Sequence, residues 1–309
     1  MSTSLQLSIV SPVYHTGSML AELVNRIVTN IPSEVISFEI ILVDDGSKDD
    51  SWSIVHNICG KYPQVRGLRL SRNFGQHAAI SAGLQNAGGE WIIVMDSDLQ
   101  DQPELIPTLY EKAGNGHPIV LARRVRRNDP FTRKFASRVF YWLLARLSDI
   151  SPDYMMGNFG IYHRQVIDAV VQMKETHRFF PMMVAWTGFP VTHVDTVHEK
   201  RAAGNSGYSF RKLVQLALQI TLSYSDRPLR YIVKAGMLIS LLSAIYAFVI
   251  LVKYFTGSIT VLGYTSLIVS IWFIGGLILF TLGIVGLYVG RTFEQTKGRP
   301  FFVVKEISE

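Results

Sequence analysis

The chain has 309 residues, 48% of them hydrophobic, and a formal net charge of +6, which leaves room for one large domain or two smaller ones. Its one cysteine, Cys59, excludes an internal disulfide framework and fits a reducing compartment. The positive charge suits anionic lipid surfaces or phosphate-bearing ligands, and the apolar content rises sharply after about Ser225.

Leu7–Ser11 reads as a first strand ending at Pro12-Val13-Tyr14. The stretch Leu5–Val13 is too short, and lacks the basic lead, for a secretory signal. Leu20, Leu23, Val24, Ile27, Val28 and Ile31 recur at helical spacing on one face. Phe38–Val43 is apolar on both faces, as a central parallel strand is, and stops at Asp44-Asp45-Gly46-Ser47. A helix over about Asp50–Gly60 follows and holds Cys59 in its apolar stripe. Val65–Leu70 leads into Arg72-Asn73-Phe74-Gly75-Gln76, and a small-residue helix, Ala78–Asn86, precedes the apolar run Ile92–Met95. Strands and helices alternating at this rhythm predict βαβ units and a mostly parallel sheet covered on both sides.

The run Ile92–Met95 stops at Asp96-Ser97-Asp98-Leu99-Gln100-Asp101. Ligands in open α/β sheets sit beyond the carboxyl ends of strands. Asp96, Asp98 and the Gln100 amide oxygen are hard oxygen donors, suited to Mg²⁺ or Mn²⁺ and the phosphates such ions carry. On these residues alone an acidic turn capping the helix near Pro103 is an equal reading. An EF-hand is excluded, because Asp101 and Pro107 stand where its loop needs Gly and Glu. Neither G-x-G-x-x-G nor a Walker A sequence is present, so nucleotide binding must use other groups.

A strand over Ile119–Ala122 ends at Arg123-Arg124, and the helix Phe131–Leu147 carries Arg133, Lys134, Arg138 and Arg146. Gly157-Asn158-Phe159-Gly160-Ile161-Tyr162 leads to a helix near Gln165, and Val191–Val197 reads as a further strand with Glu199-Lys200-Arg201 at its end. Phe210, Leu213, Val214, Ala217, Leu218 and Thr221 share a face, the pattern of a helix lying in a bilayer interface. Ile232–Phe255 gives about 36 Å of helix against a bilayer core of about 30 Å, with only Lys234 and Lys253 charged. Tyr264–Val289 carries no charge, and its glycines permit close helix approach and self-association. Arg211, Lys212, Arg227 and Arg230 precede the first span and Arg291, Lys297 and Arg299 follow the second, whereas the link Thr256–Gly263 has no basic residue. Both chain ends and the globular part are therefore expected on the cytoplasmic side of a cell inner membrane crossed twice. A short strand over Phe301–Val304 is expected to return to the globular part.

Together, Pro12-Val13-Tyr14, Val43-Asp44-Asp45-Gly46-Ser47, Arg72–Gln76, Asp96–Gln100, Arg201-Ala202-Ala203-Gly204-Asn205-Ser206 and the paired spans resemble the family 2 glycosyltransferases of GT-A fold. Among these the chain is similar to the polyprenyl-phosphate glycosyltransferases, a group that includes dolichyl-phosphate mannose synthase-like enzymes. The resemblance implies a cytoplasmic GT-A domain (1–207), an α/β Rossmann-like, mostly parallel sheet. It further implies a juxtamembrane amphipathic segment (208–230), two transmembrane helices (231–290) and a cytoplasmic tail (291–309). The implied activity is an inverting transfer from a nucleotide-diphosphate sugar, a UDP-sugar being favoured, to a polyprenyl phosphate, with no nucleic acid involved. A glycolipid or lipid-linked oligosaccharide acceptor is the alternative, and a non-catalytic, membrane-anchored nucleotide-binding scaffold is the remoter one. A processive polysaccharide synthase is disfavoured, since the chain has no Gln-x-x-Arg-Trp.

By position, the resemblance implies that Pro12, Tyr14, Asp44, Asp45 and Asp96 take the donor, Asp45 accepting a ring N–H of the base. Asp96, Asp98 and Gln100 would hold Mg²⁺ or Mn²⁺. Arg123 and Arg201 would meet phosphates, and with Asp96, Asp98 and Asn158 they make up the implied catalytic set. Two positions depart from the family. His15-Thr16 stands where Asn-Glu is common, and Asn158 stands where many two-span relatives have Asp, a proposed base. An amide is no general base, but a phosphate monoester with a second pKa near 6 is already largely dianionic at pH 7 and can attack without one.

Overall fold

Leu7–Val13 is uniformly buried and forms β1 at the middle of the sheet. The computed structural model describes residues 5–124, 157–175, 178–196, 227–256 and 263–309. The further strands are β2 (Phe38–Asp44), β3 (Val65–Leu70), β4 (Trp91–Val94), β5 (Ile119–Arg124), β6 (Gly160–His163), β7 (Val191–Thr196) and β8 (Val304–Ser308). They form one sheet in the order β7-β5-β6-β4-β1-β2-β3-β8. The pairs β1/β2, β1/β4, β2/β3 and β5/β7 are parallel. β6 runs antiparallel to both β4 and β5, and β8 antiparallel to β3.

The helices of this unit are α1 (Gly17–Thr29), α2 (Ser51–Cys59), α3 (Gln76–Asn86), α4 (Ile106–Gly114), α5 (Arg164–Gln172) and α6 (Phe180–Trp186). α1 buries Leu20, Leu23, Val24 and Ile27, the face its periodicity predicts, in a cluster with Ile9, Ile40 and Val55. On the opposite side α3 and α5 pack with Val10, Ile41 and Val94. Each such aliphatic side chain contributes roughly 1.5–3 kcal/mol on burial. α3 can lie close to the sheet because its inner face is small. A Cβ on Gly83 would come within 2.3 Å of Val10 Cγ1.

Three features differ from the sequence expectation. β6 is a strand inserted between β4 and β5. It escapes notice because it is short and begins at a glycine, whose Cβ would lie 2.6 Å from the Val120 carbonyl oxygen. The return strand is Val304–Ser308, displaced from the expected Phe301–Val304, because the two aromatics are used otherwise. Phe302 packs on the core and the Arg178 guanidinium lies over the Phe301 ring at 4.3 Å. The helix α6, with Pro in its first turn, was not anticipated.

The chain divides into two compact units, and Arg299–Glu309 belongs to the sheet unit. The other unit holds α7 (Arg227–Phe255) and α8 (Tyr264–Thr296), helices of 29 and 33 residues. Among the described residues Phe273–Thr296, within α8, is long and apolar enough to cross a membrane. The expected basic helix Phe131–Leu147, the expected amphipathic segment Phe210–Thr221, the Arg201–Ser206 motif and the interior of the link between α7 and α8 lie outside the described residues.

Candidate active site

β3, β2, β1 and β4 run in one direction, so their carboxyl ends share an edge. β5 has the same sense, being antiparallel to β6, and β7 follows β5. β6, reversed, begins at that edge. Pro12, Tyr14, Asp44, Asp45, Asp96, Asp98, Gln100, Arg123 and Asn158 therefore all lie at or just beyond one edge of the sheet. Arg201 lies outside the described residues.

After β1 the chain turns through His15 at φ +56°, a left-handed conformation that His tolerates better than most residues. The His15 N–H donates to Ser47 Oγ at 3.2 Å, and its ring lies 3.2 Å from the Asp49 carboxylate. Tyr14 is 45% exposed. Two residues on, the Thr16 and Ser97 hydroxyls meet at 2.8 Å, joining the loops after β1 and β4.

The two acids ending β2 have different surroundings. Asp44 is fully buried. Its Oδ1 accepts the Ser47 N–H at 3.1 Å, and Arg69 Nε lies 3.6 Å from Oδ2. It shapes the turn from beneath. Asp45, 2% exposed, accepts the Phe74 N–H at 2.7 Å on Oδ1 and the Gly75 N–H at 2.9 Å on Oδ2. Burial raises its pKa above the ordinary carboxylate value, and the two amides oppose that shift. A carboxylate has about four acceptor positions, so two amides do not exhaust it. Gly46, at φ +65°, lets the two loops touch, since a Cβ there would sit 2.4 Å from the Arg72 carbonyl carbon. The Arg72 guanidinium covers the Phe74 ring at 4.1 Å.

Beyond β4 the loop closes on itself. The Asp96 N–H donates to Asp101 Oδ2 at 2.9 Å, and Leu99 takes φ +60°. Asp98 accepts the Gln100 N–H at 3.1 Å and the Gln100 side-chain Nε2 at 2.6 Å. Gln76 Nε2, from the start of α3, donates to Asp96 Oδ1 at 2.7 Å. The sequence reading missed the parts played by Asp101 and Gln76. It also expected the Gln100 oxygen to face a cation, whereas the amide here presents its nitrogen to Asp98. Among the described residues no group of three or more His, Cys, Asp or Glu side chains could hold a metal. The pair Asp96 and Asp98 still fits Mg²⁺, which is commonly bound by one or two carboxylates plus substrate phosphates.

Farther along the edge, Arg123 Nε donates to Asp195 Oδ1 at 2.8 Å, holding that exposed carboxyl below the usual range. The Asn158 carbonyl accepts the buried Tyr162 hydroxyl at 3.0 Å, which fixes the backbone where β6 begins. This edge of the sheet thus carries the carboxylates Asp45, Asp96 and Asp98 on neighbouring loops and, farther along, the Arg123–Asp195 pair.

The description "Glycosyl transferase family 2" matches residues 8–171, from β1 through α5. An uncharacterized glycosyltransferase of Synechocystis sp. is 37% identical over 98% of this chain and 96% of its own length. A prophage bactoprenol glucosyl transferase homolog of Escherichia coli is 34% identical over 99% of this chain and all of its own (100%). The bactoprenol glucosyl transferase of Shigella phage SfII is 32% identical over 98% of each chain. In fold, glucosyl-3-phosphoglycerate synthase from Mycobacterium tuberculosis aligns over 71% of this chain and 78% of its own, with TM-score 0.50 and 15% identity. The sheet and its covering helices are thus of GT-A type, and the chain belongs to glycosyl transferase family 2, the glycosyltransferases.

Proposed function

We propose that this enzyme moves a sugar from a nucleotide-diphosphate sugar, by preference a UDP-sugar, to a polyprenyl phosphate at the cytoplasmic face of the membrane. The observation that carries the reading is the meeting of Asp45, Asp96 and Asp98 at one sheet edge, in a chain that has bactoprenol glucosyl transferases among its relatives matched over nearly their whole length. The glucosyl-3-phosphoglycerate synthase named above was crystallised with Mn²⁺ and UDP, which supports a divalent cation and a uridine nucleotide here.

Asp45, with Pro12 and Tyr14, would take the nucleoside, and the grip of Asp45 on Phe74 and Gly75 forms the floor of that site. Asp96 and Asp98 would hold Mg²⁺ or Mn²⁺, and the Gln100 amide would turn its oxygen toward it. When bound, such a cation neutralises the charge that gathers on the departing nucleoside diphosphate. Arg123, released from Asp195, and Arg201 would meet the acceptor phosphate. That phosphate, largely dianionic at neutral pH, attacks the anomeric carbon from the face opposite the leaving group, which inverts the configuration. Asn158 would position the acceptor or the sugar.

A double crossing is supported by chain topology. β8 follows α8 in the chain and hydrogen-bonds to β3 of the unit that precedes α7. A chain that leaves a sheet and rejoins it crosses a membrane an even number of times. If Phe273–Thr296 crosses, α7 supplies the partner crossing.

The test is full-length protein with Mn²⁺ or Mg²⁺, undecaprenyl phosphate and a panel of labelled nucleotide sugars. Glycosylated lipid from one donor is the expected result. No product from any donor, with product appearing on a glycolipid, would replace the acceptor class.

A further inference from the structure

We propose that Gln76 is a positioning residue for Asp96, orienting its carboxylate toward the cation through the hydrogen bond to Oδ1; this rests on the reading that Asp96 and Asp98 are the metal ligands. Gln76 is fixed from both sides. Before it, Phe74 and Gly75 donate their N–H groups to Asp45 at 2.7 and 2.9 Å. After it, α3 is pressed against β1 through Gly83, with Ala78, Ala79 and Ala82 buried, so its first residue has little freedom to shift. From that position Gln76 Nε2 reaches Asp96 Oδ1 at 2.7 Å across twenty residues of sequence. The Asp96 backbone is meanwhile tied through its N–H to Asp101.

The chemistry of the donor matters as much as its place. An amide N–H orients a carboxylate oxygen without itself bringing a positive charge to the site. A lysine or arginine there would compete with that cation. Gln100 differs, because its amide touches Asp98 only two residues away within the same loop and must turn to offer its oxygen. Three consecutive residues, Phe74, Gly75 and Gln76, therefore grip the acid assigned to the nucleotide and the acid assigned to the cation. Partners of this kind, one shell out from a metal, typically alter affinity by about 10- to 100-fold when removed.

The experiment is Mn²⁺ titration of the full chain in detergent, followed by electron paramagnetic resonance in the presence of UDP, alongside UDP affinity measured in EDTA. Gln76→Met keeps the length and removes the donor. Gln76→Lys keeps a donor and adds a cation, and it carries the test should the Met variant lose stability. Both are expected to weaken Mn²⁺ binding about tenfold or more while UDP affinity in EDTA stays within about twofold of the parent. A merely structural role would move both measurements together. Asp98→Asn separates this inference from the reading beneath it. If the parent binds Mn²⁺, Asp98→Asn does not, and both Gln76 variants titrate like the parent, the Gln76 assignment is overturned. If Asp98→Asn binds Mn²⁺ as well as the parent does, the metal assignment itself fails.

Discussion

Gly46 has no room for a side chain. Its φ of +65° is a left-handed conformation, and a Cβ there would press within 2.4 Å of the Arg72 backbone. Gly46→Ala should cost about 2–3 kcal/mol or more and loosen the loop that Asp45 grips. Thermal unfolding and UDP affinity should both report it; an unchanged melting temperature would contradict the close approach. Asn158→Ala should slow turnover roughly 10- to 100-fold without abolishing it, since Asn158 positions but does not exchange a proton. Complete loss of turnover with donor binding intact would point to a chemical role. His77 makes a pH prediction. Burial pushes its pKa down to about 4 from 6.5, and its Nδ1 accepts the Phe180 N–H at 3.4 Å. Between those values the unfolded chain binds the proton and the folded chain does not, so stability present above pH 6.5 drains away as the pH falls toward 4. His77→Asn should flatten the melting-temperature profile across that window. Equal slopes in variant and parent would dismiss the assignment.

At the scale of elements, legibility followed locality. The helical stripe of α1 and the strand-ending acids of β2 and β4 are written in contiguous residues, and those elements are where the periodicity put them. What joins them is not. Phe74 and Gly75, which donate to Asp45, stand about thirty residues downstream of it, and Gln76, which donates to Asp96, stands twenty residues upstream; neither pairing exists until the sheet sets the strand order. β6 hides for a related reason. Gly160-Ile161-Tyr162-His163 has no alternating pattern long enough to read, and its strand character comes from β4 and β5 on either side. β8, with Lys305 and Glu306 in its middle, looks like a polar tail, yet it covers the β3 edge. Ser71 donates its N–H to the Val303 carbonyl at 2.8 Å, Arg69 lies between Asp44 and Glu306, and the His56 ring meets the Ser308 hydroxyl at 2.9 Å. Removing residues 301–309 should lower the melting temperature, because each lost backbone hydrogen bond costs about 0.5–1.5 kcal/mol and β3 is left as an open edge. It should also weaken UDP binding, because β3 leads directly into the Arg72–Gln76 loop. A tail-less protein with parental stability would show that β8 only decorates the sheet.

For the whole molecule, the even-crossing argument gives a compartment test. A cysteine introduced at Lys305 and one introduced in the link between α7 and α8 should react with an impermeant thiol reagent from opposite sides of sealed vesicles. Cys59 is buried and gives little background. Labelling of both from one side would mean that neither helix, or only part of one, traverses the bilayer. The GT-A sheet is expected from its alternating elements and its motifs, whereas the closure of that sheet by residues beyond α8 depends on pairing between distant parts of the chain.

That closing strand also bears on any attempt to separate catalysis from anchoring. A stop codon placed before α7 would discard the strand that seals β3, with the partners of Arg69, His56 and Arg178. A water-soluble catalytic fragment therefore requires splicing: the segment from Arg299 to Glu309 must be grafted back onto the end of the sheet unit through a linker that replaces both helices.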